Sequence, residues 1–222
     1  MISTINKLTE LLFPPKRTRV VCISQDEYEQ QQKRIPLTDI KMYSWQKLDN
    51  HQPSENYGAY PCLSIYFLFD KHYYVGHIPK VPNHVRDEVL RGEYQDKEAE
   101  KSISLADKAF TDLLQAVQIE ITNGGCCEVY IFGQNYYPQD NFSESEQEYE
   151  EHIKETDKSR NEVVAQTLDI GVSPDHIHDY RTQIRPSKSY DLLVDNVIYH
   201  PEEKAFYLNN SPWIGSKEMK SN

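Results

Sequence analysis

Hydrophobic and polar positions alternate most clearly between residues 62 and 78. Ile65, Phe67 and Phe69 share one parity, and Ser64, Tyr66 and Leu68 the other. A period of two with both parities largely apolar predicts a strand covered on both faces. Asp70, Lys71 and His72 supply a turn, and residues 73–78 return as the second strand of a hairpin. The period then lengthens. Leu105, Ala109, Leu113, Leu114, Val117 and Ile121 form a helical stripe, opened by Ser104 with Asp107 three residues on and closed by Asn123-Gly124-Gly125. Val163, Val164, Thr167 and Leu168 mark one side of a second helix that ends before Gly171.

The remaining segments carry shorter signals. Ser3 is placed to cap a helix bearing Ile5, Leu8, Leu11 and Leu12, which Pro14-Pro15 ends. Residues 19–24 read as a short buried strand containing Cys22, residues 26–34 as a solvated helix or loop, and residues 35–52 as irregular structure leading into the hairpin. Residues 80–102 form a charged excursion. Residues 126–132 make a core strand closed by Gly133. Residues 139–156, with Glu144, Glu146, Glu148, Glu150 and Glu151, read as a solvated acidic insertion whose deletion costs little stability. Short strands are predicted over 177–180, 190–194, 197–200 and 205–208, the last two joined by a turn, with a frayed tail beyond Trp213. The expectation is an α+β fold in a single domain, 1–222. It comprises an N-terminal extension over 1–52 and a core over 53–209 that carries the insertion.

Charge narrows the function. A formal charge of -11 over 222 residues argues against non-specific binding to nucleic acid or to anionic membrane surfaces. No apolar window approaches the ~20 residues that span a bilayer, and the amino terminus lacks a secretory signal. A cytoplasmic location, or delivery into another cell without a classical signal, is expected. Cys22, Cys62, Cys126 and Cys127 are irregularly spaced and contain no C-x-x-C, which suits reduced thiols and not a disulfide framework or structural zinc.

The hairpin carries the candidate chemistry. Cys62 at the start of its first strand and His77 at the end of its second are expected side by side at one end of the sheet. A thiol beside an imidazole is the minimum for an activated sulfur nucleophile. The competing reading is structural, since free cysteine is among the most buried residue types. If the pair is active, Cys62 should be alkylated ahead of Cys22, Cys126 and Cys127, which lie on segments read as apolar strands. A metal site from His72, His77, His84, His176 and His178 ranks lowest, because these histidines share no ligand spacing and imply no carboxylate partner.

From residue 56 to residue 209 the order of motifs resembles the CheD family of chemoreceptor glutamine deamidases. The matching features are Pro61-Cys62 leading into an apolar strand that ends Phe69-Asp70, then His77-Ile78-Pro79. Ala106-Asp107 follows in the place of a helix opening, Phe132-Gly133-Gln134 at a strand end, Arg160-Asn161 opening a second helix, and a closing hairpin over 195–208. The core is also similar to that of toxin deamidases such as the cytotoxic necrotizing factors. The resemblance implies a sandwich of mixed and antiparallel sheets flanked by helices. It further implies a Cys62–His77 pair that converts a glutamine of a partner protein to glutamate without metal or organic cofactor. Tyr60-Pro61 stands where the family has Gly-Ser, Gln134 where it has Gly, and Asn56 where it has a hydroxyl-bearing residue. Either Asn56, through its side-chain oxygen as Asn does in some Cys-His hydrolases, or a backbone carbonyl is then expected on the far side of the His77 imidazole. The departures point to a protein target other than a chemoreceptor, or to a catalytically inactive binding module on the same scaffold.

Overall fold

The structure is a computed structural model, and it describes residues 18–57, 62–79, 97–133, 146–181 and 196–209. In chain order these form β1 (Arg19–Ile23), α1 (Gln25–Arg34), β2 (Thr38–Asp39), β3 (Ser44–Asp49), β4 (Ser54–Asn56), β5 (Cys62–Leu68) and β6 (His72–Pro79). They continue with α2 (Lys97–Thr122), β7 (Glu128–Gly133), α3 (Glu146–Asp169), a 3-10 turn (Pro174–His176), β8 (Ile177–Asp179), β9 (Asn196–His200) and β10 (Ala205–Asn209). The fold is α+β, with two mixed five-stranded sheets.

The first sheet has the order β1-β10-β9-β4-β2 and the second β3-β6-β5-β7-β8. Parallel pairs sit at the edges, β1 with β10 and β2 with β4 in the first sheet and β7 with β8 in the second. The two faces of the central strands build two separate cores. Leu63, Ile65 and Phe67 of β5 pack with Phe110, Leu113 and Val117 of α2 and with Val163 of α3, so the long helices cover the outer face of the second sheet. Tyr66, Tyr73, Val75, Tyr130 and Phe132 face the other way and meet Val197, Tyr199, Phe206 and Leu208 of the first sheet. The layer between the sheets is therefore largely aromatic, with Tyr66 and Phe206 edge to face at 4.9 Å between ring centroids.

Gly76 sets how closely α2 approaches. A Cβ there would lie 2.8 Å from Leu113 Cδ2, closer than side chains tolerate, so the absence of a side chain brings the helix down onto β6 beside His77.

Several sequence expectations are corrected. Residues 35–52 are not irregular: they contain β2 and β3, and β3 pairs antiparallel with β6 from Ser44 opposite His77 to Asp49 opposite His72. β3 is an edge strand in which Leu48 alone is buried, so it carries almost no alternation. Lys47 lies over the Tyr74 ring and bonds Glu120 at 2.6 Å, closing that edge with charge. Residues 19–49, expected to belong to an extension, supply strands to both sheets. β1 is a partly exposed edge and not a buried strand, which leaves Cys22 exposed.

Residues 25–34 are helical, held by a reciprocal cap in which the Glu27 N–H donates to Ser24 Oγ at 3.3 Å and the Ser24 N–H donates to Glu27 Oε2 at 2.9 Å. This polar helix docks through Tyr28 and Gln32, both of which donate to Glu55 of β4.

Both long helices start earlier than predicted. α2 begins at Lys97, so Ser104 and Ala106-Asp107 lie inside it; the preceding Lys/Glu/Ala residues are strong helix formers. α3 begins at Glu146, well before Arg160-Asn161, and absorbs most of the supposed acidic insertion. Ile153, Thr156, Arg160, Val163 and Thr167 are all buried at helical spacing, a stripe too polar to stand out by hydropathy. The predicted helix over residues 3–12, the strand over 190–194 and the tail lie outside the described residues, as do Tyr60-Pro61, His84 and Gln134.

Candidate functional site

The hairpin register is set by a turn centred on Asp70-Lys71, so positions equidistant from it face each other. Ser64 lies opposite His77, and Cys62 opposite Pro79. Cys62, Ser64 and Tyr66 share a face, as do His77, Val75 and Tyr73, and this face looks into the layer between the sheets. Cys62 and His77 are thus on one face of adjacent strands, related by the diagonal and not by direct pairing, a separation of about 7–8 Å between backbones. The expected side-by-side placement is corrected by that one pleat: the residue directly across from His77 is Ser64.

His77 is 2 % exposed, and its Nδ1 lies 3.0 Å from the carbonyl oxygen of Ile40. A carbonyl only accepts, so Nδ1 carries the hydrogen, and in the neutral ring Nε2 is the basic nitrogen. Ile40 follows β2 and is itself fixed by its N–H, which donates to the Glu55 carbonyl at 2.9 Å. The short β2–β4 pairing in one sheet therefore orients an imidazole in the other.

Asn56 does not take that role. Its side chain is fully buried, and Nδ2 donates to the Gly76 carbonyl at 3.3 Å, clamping β4 to β6 one residue before His77. Its Oδ1 finds no hydrogen-bond partner among the described residues, nor does Ser64 Oγ, and both are buried. Cys62, Ser64 and His77, with Asn56 clamped to the residue before His77, thus leave buried polar groups at one end of an otherwise largely aromatic layer. Parity alone does not mark Ser64 as part of a site; its position opposite His77 emerges only on counting outward from the turn. A backbone carbonyl is the expected alternative to Asn56 on the far side of the imidazole, but nothing in side-chain composition says that Ile40 supplies it.

The electrostatics differ from the expectation for Cys62. The residue is 2 % exposed, and burial pushes its thiol up to about 12. The resting site therefore holds a neutral thiol and not a preformed thiolate. Cys127 is likewise buried and raised to about 12, mainly by burial. Cys22 and Cys126, expected to be protected, are exposed, so selective alkylation of Cys62 in the native protein is not expected. Cys126 precedes β7 instead of lying within it.

Three of these histidines lie near carboxylates, contrary to expectation: His72 Nε2 is 3.5 Å from Glu120, His176 Nδ1 is 4.0 Å from Glu128, and His178 Nε2 is 2.6 Å from Glu128. Among the described residues, no group of three or more His, Cys, Asp or Glu side chains is arranged to hold a metal ion. No helix among them is long and apolar enough to cross a membrane. No family model, curated protein or solved structure matches the chain.

Proposed function

We propose that the chain is a cysteine-dependent protein-glutamine deamidase, with Cys62 as nucleophile and His77 as general base. The observation that carries this reading is the placement of the two residues on one buried face of adjacent strands, with the Ile40 carbonyl holding His77 in the tautomer whose Nε2 accepts a proton. The resemblance to CheD-like deamidases supplies the substrate class.

Because burial keeps the thiol neutral, proton transfer accompanies attack and does not precede it. His77 Nε2 takes the thiol proton as Cys62 Sγ attacks the side-chain amide carbon of a glutamine. This mechanism requires the diagonal gap to narrow when substrate enters, as catalytic hydrogen bonds often tighten only in the substrate complex. The tetrahedral oxyanion is held by the backbone N–H of Cys62 and a neighbouring donor, for which the Ser64 hydroxyl is placed on the same face. Ammonia leaves with the proton from His77. Water then cleaves the thioester, leaving glutamate and regenerating the thiol. The substrate gains one negative charge, enough to alter an ion pair at an interface.

The test uses protein extracts incubated with the wild-type chain or with Cys62→Ala and mapped for glutamine converted to glutamate. Sites converted by the wild type and absent with Cys62→Ala and His77→Gln support the proposal, and Cys126→Ala should convert the same sites. Conversion that survives Cys62→Ala overturns it. A second reading, a non-catalytic binding module, is favoured by the burial and neutrality of Cys62. It predicts that Cys62→Ala captures the same protein partners as the wild type and that neither modifies them.

A further inference from the structure

At the opposite end of the second sheet lies another cysteine–histidine arrangement, and this one is exposed. β7 and β8 pair in parallel with Val129 opposite Ile177, so the residues just before the two strands come together. Cys126 Sγ and His176 Nδ1 are 3.4 Å apart. Glu128 stands on the same side of the imidazole as the thiol, with Oε1 4.0 Å from His176 Nδ1 and Oε2 2.6 Å from His178 Nε2. His178 is held in turn by stacking on Tyr130, with 4.6 Å between ring centroids. The 3-10 turn positions His176, whose N–H donates to the Ser173 carbonyl at 3.0 Å. A nucleophile, a base and a carboxylate near the same ring nitrogen are therefore assembled on a half-open surface, fixed by backbone pairing on one side and ring stacking on the other.

We propose that Cys126, His176, Glu128 and His178 form a surface thiol site that accepts a small disulfide by thiol–disulfide exchange. His176 Nδ1 takes the thiol proton, and Cys126 Sγ attacks one sulfur of the disulfide. The new S–S bond forms as the old one breaks, and the departing thiolate receives the proton from His176. Glu128 stabilises the imidazolium between these steps. Atoms and electrons balance, the disulfide being the only oxidant.

The neighbouring thiol decides the fate of the adduct. Cys127 is adjacent in sequence but buried, and its thiol is pushed up to about 12, so it offers no thiolate to resolve the mixed disulfide. The adduct persists, which makes this an acceptor of S-thiolation and not a dithiol oxidoreductase. The site is distinct from Cys62 and independent of the deamidase reading.

The protein contains its own control, because Cys22 is also exposed but lies on β1 of the other sheet. The intact native chain is treated at neutral pH with glutathione disulfide, and adducts are quantified by peptide mapping over time. Cys126 should react on the order of tenfold faster than Cys22. His176→Ala should bring Cys126 down to the rate of Cys22 with unchanged circular dichroism and melting temperature. Cys127→Ala should leave the yield and lifetime of the Cys126 adduct unaltered. Equal rates at Cys126 and Cys22, or a Cys126 rate indifferent to His176→Ala, overturns the proposal. A Cys126–Cys127 disulfide as the end product overturns the acceptor role.

Discussion

His77 Nδ1 donates across the sandwich to the Ile40 carbonyl, at 3.0 Å, and this bond joins a strand of the second sheet to the end of a two-residue strand of the first. It fixes both the ring orientation and the location of the basic nitrogen. The proposed base therefore depends on backbone supplied by residues 38–40.

Removing the ring tests that dependence. His77→Gln keeps a polar side chain of similar reach but no base, and should lower glutamine conversion by about 10²–10⁴-fold while the chain still melts cooperatively. A variant that folds and retains wild-type conversion would place the base elsewhere.

Asn56 should behave differently. Its amide bonds the Gly76 carbonyl and not the imidazole, so Asn56→Ala should cost about 1–3 kcal/mol of stability through the lost buried hydrogen bond. The residual activity of the folded fraction should fall far less than in His77→Gln. Denaturant midpoints and activity measured on the same samples separate the two effects.

How much of the fold and site is legible in the sequence depends on which faces of each element are buried. β5 and β6 are covered on both faces, so their runs of apolar residues and the turn between them reveal the hairpin, but His72, expected in the turn, opens β6, and the pairing follows only from the register. β3 buries Leu48 alone, and α3 buries Thr156, Arg160 and Thr167 along with its apolar residues, so neither announces itself by periodicity. Cys62 and His77 are recognisable as residue types at strand ends. Their one-pleat offset needs the register, and the partner of His77 is a main-chain oxygen that side-chain chemistry does not signal.

Gly76 offers a packing test next to the site. Gly76→Ala would place a methyl group 2.8 Å from Leu113 Cδ2 and 3.2 Å from Ile78 Cδ1, forcing α2 to shift or Leu113 to change rotamer. The expected cost is about 1–3 kcal/mol. Leu113→Ala combined with it should recover part of that loss relative to the sum of the single variants, since the two side chains compete for one space.

Ile153 tests whether the acidic segment belongs to the core. It is 1 % exposed within α3, so Ile153→Ala should destabilise by about 2–5 kcal/mol. For a chain of this size each kcal/mol lowers the melting temperature by about 2–4 °C. A change of less than a degree would mean that residues 146–156 are as dispensable as their composition suggests.

The buried thiols predict an alkaline loss of stability. Cys62 and Cys127 hold their protons up to about 12 in the folded state, whereas an unfolded thiol releases its proton near pH ~8.5. Above that pH the unfolded chain binds fewer protons than the folded one, so stability declines as pH rises and is fully present only below it. Each thiol contributes a slope of about 1.4 kcal/mol per pH unit between the two values. Buried tyrosines such as Tyr66 are raised as well, but unfolded tyrosine titrates only near pH ~10, so the window from about pH 8.5 to 9.5 reports chiefly on the thiols. Urea midpoints across that window should fall steeply for the wild type. The Cys62→Ala, Cys127→Ala double variant, starting from a lower midpoint because of its lost packing, should show a clearly shallower decline. Parallel declines in the two proteins would mean that neither thiol is held neutral by the fold, and the general-base route for Cys62 would give way to a preformed thiolate.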